Sequence, residues 1–103
     1  MVRLAVALVA PASGTDQLLH ALRLLASPTR IEPGCLACRV WTDDGNRSMV
    51  RYVEEWASQS ALDEHFRSPH FAAAGARFGE LLAAPPEVTV YDVAGSRKLD
   101  LTA

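Results

Sequence analysis

The first strand restricts this chain more than any other feature. In Val2-Arg3-Leu4-Ala5-Val6-Ala7-Leu8-Val9, Val2, Leu4, Val6 and Leu8 fall on one side of an extended backbone, and Ala5, Ala7 and Val9 fall on the other. A strand apolar on both sides belongs inside a sheet, and helices on one face alone leave the other face needing cover. With 103 residues the chain has room for one core. A domain of this size buries only roughly two thirds of the surface its unfolded chain exposes, so a face buried against a partner would add stability. Half of the residues are hydrophobic and 21% charged, the profile of one compact domain. Residues 1–95 are read as that domain, and 96–103, polar from Ser96 onward, as a flexible tail.

Turn residues divide the rest of the chain. Pro11 to Gly14 breaks the first strand, Ser13 and Thr15 are candidate N-caps, and Asp16 suits the positive end of a helix. Leu18, Leu19, Leu22, Leu25 and Ala26 recur at helical spacing, and Pro28 is expected to end or kink that helix. After Pro33-Gly34, Cys35 to Thr42 reads as a strand, Asp43-Asp44-Gly45-Asn46 as a hairpin loop, and Ser48 to Ala57 as the partner strand. Ser58 caps a short helix with Ala61, Leu62, His65 and Phe66. Ser68-Pro69 caps a longer one with Phe71, Ala74, Phe78, Leu81 and Leu82. Pro85-Pro86 closes it, and Val88, Val90 and Tyr91 form a last strand. The order predicts an α+β, ferredoxin-like β-α-β-β-α-β fold: a four-stranded antiparallel sheet with helices on one face. The bare face is best covered by a second copy, sheet against sheet, in a homodimer.

Charge excludes one class of partner. Ten basic against twelve acidic residues give a net charge of −2, and no basic stripe is present, so nucleic acid is not an expected ligand. No stretch approaches the roughly 18 apolar residues of a membrane span. The chain is read as cytoplasmic, with no membrane partner.

Cys35 and Cys38 form the only C-x-x-C pair. In a regular strand, residues three apart point to opposite faces, so these two are expected neither to share a metal nor to close an unstrained disulfide. They are read as small, reduced, buried hydrophobes.

The segment from Tyr52 to Phe71, YVEEWASQSALDEHFRSPHF, with EPGC upstream at residues 32–35, resembles the antibiotic biosynthesis monooxygenase family of dimeric α/β barrels over residues 2 to 93. The likeness rests on E-x-W at Glu54 and Trp56, A-L-x-x-H at Ala61 to His65, and S-P-H-F at Ser68 to Phe71. It implies a homodimer with one pocket per subunit between sheet and helices. It also implies, for some members, oxygenation of a phenolic, quinol or anthrone-like substrate by O2 with no metal, flavin or other cofactor. In such chemistry a phenolate made by proton removal passes an electron to O2. The pocket therefore needs apolar walls and one or two groups that orient or deprotonate the phenol. His65, His70 and Glu54 are the candidate catalytic residues; Tyr52, Trp56, Phe66, Phe71 and Phe78 are the candidate substrate-binding ones.

Spacing alone puts Tyr52, Glu54 and Trp56 on one strand face and His70 in the first turn of a helix, where the dipole favours a neutral imidazole able to accept a proton. Each has a structural reading too: Tyr52 and Trp56 as core, Glu54 as a satisfied carboxylate, the histidines as capping or packing residues. His65 and His70 are separated by a helix break and are not expected to share a metal. His20 falls on the polar side of the first helix. Arg39 and Arg51 are read as pairing with carboxylates across the hairpin or binding an anionic substrate, the first being the commoner arrangement. The family's quinone-forming branch has asparagine where this chain has Tyr52, and its haem-degrading branch has a histidine where this chain has Gly75. A third branch isomerises phosphorylated keto-sugars with histidines placed like His65 and His70. The alternatives to oxygenation are therefore such an isomerase, which would hold a phosphate near an arginine, and a non-catalytic dimeric binding module.

Overall fold

The computed structural model describes residues 1–102. Four strands, β1 (Val2–Val9), β2 (Cys35–Asp43), β3 (Asn46–Trp56) and β4 (Glu87–Asp92), form one antiparallel sheet in the order β2-β3-β1-β4. The doubly apolar β1 is a central strand, flanked by β3 and β4. Helix α1 (Thr15–Thr29) connects β1 to β2, and a pair, α2 (Gln59–Phe66) and α3 (Pro69–Leu81), connects β3 to β4. The architecture is the expected ferredoxin-like one, with its second crossover divided into two helices.

Two of the three helices start as the sequence predicts. Ser58 Oγ accepts from the Ala61 amide at 3.2 Å, and Ser68 Oγ accepts from the Phe71 amide at 3.2 Å with Pro69 as the first helical residue, each satisfying a backbone donor that the helix leaves free. Helix α1 differs. Gly14 holds the cap position with no side-chain bond, while Ser13 takes a positive φ of 61° in the preceding turn. Thr15 lies inside the helix and spends its hydroxyl on Arg47 O at 3.1 Å, tying α1 to β3. Pro28 does not stop the helix, which runs on to Thr29; so near the C-terminus, the lost amide removes only one late bond.

The helix-facing side of the sheet carries the core. Val2, Leu4 and Leu8 of β1 and Val50, Tyr52 and Trp56 of β3 are buried there, with Leu18, Leu19, Leu22, Leu25 and Ala26 of α1 packed over much of it. A Leu moved from water into such a site contributes roughly 1.5–3 kcal/mol, so α1 is fixed chiefly by this stripe.

The opposite face has no helix. Ala5, Ala7 and Val53 lie across it, with Trp41 and Tyr91 45% and 51% exposed. Arg3 and Arg39 both reach Glu55, and Arg51 grips Asp43 through two bonds of 2.9 and 3.0 Å. Arg39 and Arg51 thus pair with carboxylates across the hairpin, as expected. No helix among the described residues is long and apolar enough to cross a membrane, and no helix or strand follows Asp92 among them.

Candidate functional site

Alternation along β3 turns Tyr52, Glu54 and Trp56 to the helix side, one after the other. Glu54 is only 1% exposed, and a buried carboxylate is costly unless its oxygens are satisfied. Tyr52 O–H donates to Oε2 at 2.5 Å and the Trp56 indole N–H donates to Oε1 at 3.0 Å. From α2, His65, also 1% exposed, brings Nε2 to 3.1 Å from Oε2. The ring N–H lies off the line to that oxygen, so this is an ion-pair contact without an aligned hydrogen bond.

The other nitrogen of His65, Nδ1, is 2.6 Å from Glu32 Oε2, and His70 Nε2 is 3.3 Å from the same oxygen. Burial works hardest on the His65 ring, against its charged form. The two carboxylates, Glu54 first and then Glu32, together outweigh that and hold its pKa above the ordinary value. Burial first, and then the Glu54 charge, push the Tyr52 hydroxyl far up, so it stays a neutral donor. Burial likewise raises the Cys38 thiol to about 11, and its Sγ donates to the Tyr52 oxygen at 3.3 Å.

The turn before β2 explains why Glu32 arrives here. Gly34 adopts φ +84°, and a Cβ on it would stand 2.6 Å from the Ala61 Cβ. Only glycine allows the loop to lie this close to α2. The Ala57 amide donates to Gly34 O at 2.8 Å, sealing the approach. E-P-G and A-L-x-x-H therefore meet: Gly34 packs on Ala61, and Glu32 meets His65 one helical turn later.

A β-bulge corrects the expectation about the cysteines. Cys35 pairs with Trp56, Ala37 with Glu55 and Cys38 with Glu54, so Leu36 is an extra residue and the alternation slips by one. Cys35 and Cys38 both face the helix side, as free thiols.

Beside the polar line is a cavity of about 210 Å³. Its floor is Leu4, Val6 and Leu8 of β1; its far wall is Phe66, Phe71 and Phe78; Pro86 and Val88 border it on the β4 side. Tyr52 and Glu54 are the only lining residues with polar side-chain groups, and those groups are bonded to each other. A cavity of ~150 Å³ holds benzene, so a substituted ring fits.

Five of the eight candidate residues therefore line the cavity: Tyr52, Glu54, Phe66, Phe71 and Phe78. Three do not, which corrects their expected positions. Trp56 is packed against Val2, Leu4 and Leu62 and acts on Glu54 through its N–H instead of forming a wall. His65 stands behind Glu54, with Trp56 5.0 Å from its ring. His70 borders a cleft between α1 and α3. The helix break does not separate the two histidines; it turns both rings to Glu32, with centroids 5.8 Å apart. Sequence reasoning passed over Glu32 as a site residue, although it heads the E-P-G-C stretch. The signal available was its place at the head of a Pro-Gly turn, two residues before Gly34.

Comparison with known proteins agrees with this geometry. The profile of the family described as antibiotic biosynthesis monooxygenase matches residues 1–77. Rv0793 of Mycobacterium tuberculosis, provisionally named a monooxygenase, is 39% identical over 69 residues, covering 67% of each chain. An uncharacterized protein of Synechocystis, sll1783, is 33% identical over 72 residues; the match spans 70% of this chain and about half, 49%, of that one. The solved structure of Rv0793 superposes with a TM-score of 0.87 at 29% identity, covering 94% of this chain and 98% of that one. A Deinococcus radiodurans structure described as an antibiotic biosynthesis monooxygenase gives 0.89 at 25% identity, covering 97% and 99%.

Proposed function

The chain belongs to the antibiotic biosynthesis monooxygenase family, and from that premise we propose that it oxygenates a small aromatic substrate of the phenol, quinol or anthrone class with O2, without drawing on a bound redox cofactor. The observation that carries this reading is an apolar, phenylalanine-lined cavity with the buried Tyr52–Glu54 hydrogen bond directly behind its wall. An aromatic ring is held there by Phe66, Phe71 and Phe78, and its hydroxyl takes the place of the Tyr52 hydroxyl at Glu54. Glu54 accepts the phenolic proton, with the His65 ring behind it balancing the carboxylate's charge until then. The resulting anion passes an electron to O2. For an anthrone the balance is a ring CH2 converted to C=O, one oxygen atom retained and the other leaving with two hydrogens as water.

The half-covered apolar strip on the bare sheet face, Ala5, Ala7, Val53, Trp41 and Tyr91, supports a homodimer formed through that face. Two free thiols support a reducing, cytoplasmic setting. The isomerase alternative gains nothing here, because no Arg or Lys is among the residues lining the cavity.

The test is O2 uptake during aerobic and anaerobic incubation with a panel of anthrones and quinols. Protein-dependent uptake above autoxidation, reduced in Glu54→Gln by roughly 10²–10⁴-fold, supports the reading. Absence of uptake across the panel with retained ligand binding leaves a binding module and overturns the enzyme. Sedimentation as a monomer at micromolar concentration overturns the homodimer.

A further inference from the structure

We propose that Glu32, His65 and His70 form a binding site for a divalent transition metal ion of the zinc type, set behind the cavity wall where the pre-β2 loop, α2 and α3 meet. The proposal does not rest on the oxygenation chemistry. Glu32 Oε2, His65 Nδ1 and His70 Nε2 come from three separate elements, and all lie within 4.8 Å of one another. An ion pair between Glu32 and His65 explains two of these atoms and leaves the third. His70 Nε2 is closed off from solvent, 3.3 Å from the carboxylate oxygen, with no aligned hydrogen-bond partner. A cation shared by the three groups satisfies all of them together.

The spacing suits such an ion. At the roughly 2.0–2.1 Å bonds of zinc to His nitrogen and carboxylate oxygen, neighbouring ligands in a tetrahedral site stand about 3.3 Å apart. The Glu32–His70 separation is already 3.3 Å. The 2.6 Å contact to His65 opens by about 0.7 Å as the ion replaces the proton between the two groups. Two imidazoles and one carboxylate favour Zn²⁺, Co²⁺, Ni²⁺ or Fe²⁺ over Mg²⁺ and Ca²⁺, which prefer all-oxygen sets. Three protein ligands leave at least one position for water, and Glu32 borders a surface depression shared with Ser58 and Glu64 through which an ion can arrive.

The surroundings of His65 also match a metal ligand. A metal-bound imidazole commonly gives its other N–H to a carboxylate, which fixes the ring and its tautomer. Here that nitrogen is in ion-pair contact with Glu54 Oε2 at 3.1 Å, without an aligned hydrogen bond, and Glu54 is itself held by Tyr52 and Trp56. An ion on Nδ1 leaves the proton on Nε2, facing Glu54. Loading the site would therefore steady the carboxylate that borders the cavity.

The experiment is titration of chelator-treated, full-length protein with Zn²⁺ by calorimetry, and with Co²⁺ by visible absorption, whose intensity reports tetrahedral geometry. The expected result is one saturable equivalent per chain at micromolar concentration or below, with release of a proton. His70→Ala and Glu32→Gln should each weaken binding by more than about 100-fold and Glu54→Gln by roughly 10–100-fold, while His20→Ala, on the exposed side of α1, should bind as wild type does. No saturable binding by wild type, or binding that survives His70→Ala, overturns the proposal. If the variants do not fold, ¹⁵N shifts of the wild-type histidines decide: movement at His65 Nδ1 and His70 Nε2 upholds the site, and movement at His20 alone overturns it. Metal binding without O2 uptake would uphold this site and count only against the oxygenase reading.

Discussion

Helices α1 and α3 are of similar length and lie on the same side of one sheet, yet they are held in opposite ways. Helix α1 buries Leu18, Leu19, Ala21, Leu22, Leu25 and Ala26. No residue of α3 is fully buried; it rests on α1 and α2 more than on the strands. The space this leaves above β1 and β4 is the cavity, where Val88 stays 56% exposed although it points to the helix side. One helix closes the core by apolar packing. The other forms a thinly packed wall whose near end is held by polar contacts, Glu32 to His65 and His70. Room for a ligand exists because the second helix does not do what the first does.

The largest effect that would test this contrast is Leu18→Ala. It should cost about 2–5 kcal/mol of unfolding free energy in urea, since Leu18 is fully buried in the core and does not line the cavity. Phe78→Ala, at the cavity wall, should cost clearly less, about 1–2 kcal/mol, because open space already lies beside it. Equal losses would mean that α3 is as firmly packed as α1.

Gly34→Ala should come next, at about 2–3 kcal/mol, because the residue is held at positive φ and the new methyl meets Ala61. Hydrogen exchange should show the loss as faster opening of α2 and α3 with α1 little changed. Uniform acceleration would break the division.

Alkaline pH acts on the α1 side, where Cys38 lies in the core beneath that helix. Its folded pKa of about 11 lies above the ordinary value of 9.0. The unfolded chain thus loses this proton first. The contribution is fully present below about pH 9 and is lost as pH rises through 11, at most on the order of 2 kcal/mol. The raised Tyr52 hydroxyl acts in the same direction at higher pH. Urea midpoints at pH 8 and 10.5 would check this: Cys38→Ala should lessen the decline, and an unchanged decline would discount the thiol.

The smallest expected change is a gain. A Cβ added at Gly75 would meet nothing within 4 Å, so Gly75→Ala should stabilise α3 by about 0.5–1 kcal/mol. A loss would show α3 to be closer packed than this geometry has it.

Much of this was legible in the chain itself because the signals were local. Ser58 and Ser68 cap as expected, since a hydroxyl three residues before an amide needs no distant partner. The inward set Tyr52, Glu54 and Trp56 followed from strand alternation. Expectations failed where a remote partner decided. Thr15 bonds to Arg47 across the fold instead of capping its helix. Leu36 bulges out, so alternation misplaced Cys35 relative to Cys38. Counting through a helix break sets the histidines apart, whereas the break is what turns them together.

The residues by themselves determined the order of strands and helices, the doubly apolar first strand and the family, because these depend on periodicity and on short motifs read along the chain. Only the tertiary structure decided which aromatic rings border open space, that Trp56 supports a carboxylate instead of walling the cavity, and that Glu32 joins the two histidines. Those outcomes depend on how closely elements far apart in sequence can approach, and at Gly34 that distance is set by the absence of one methyl group.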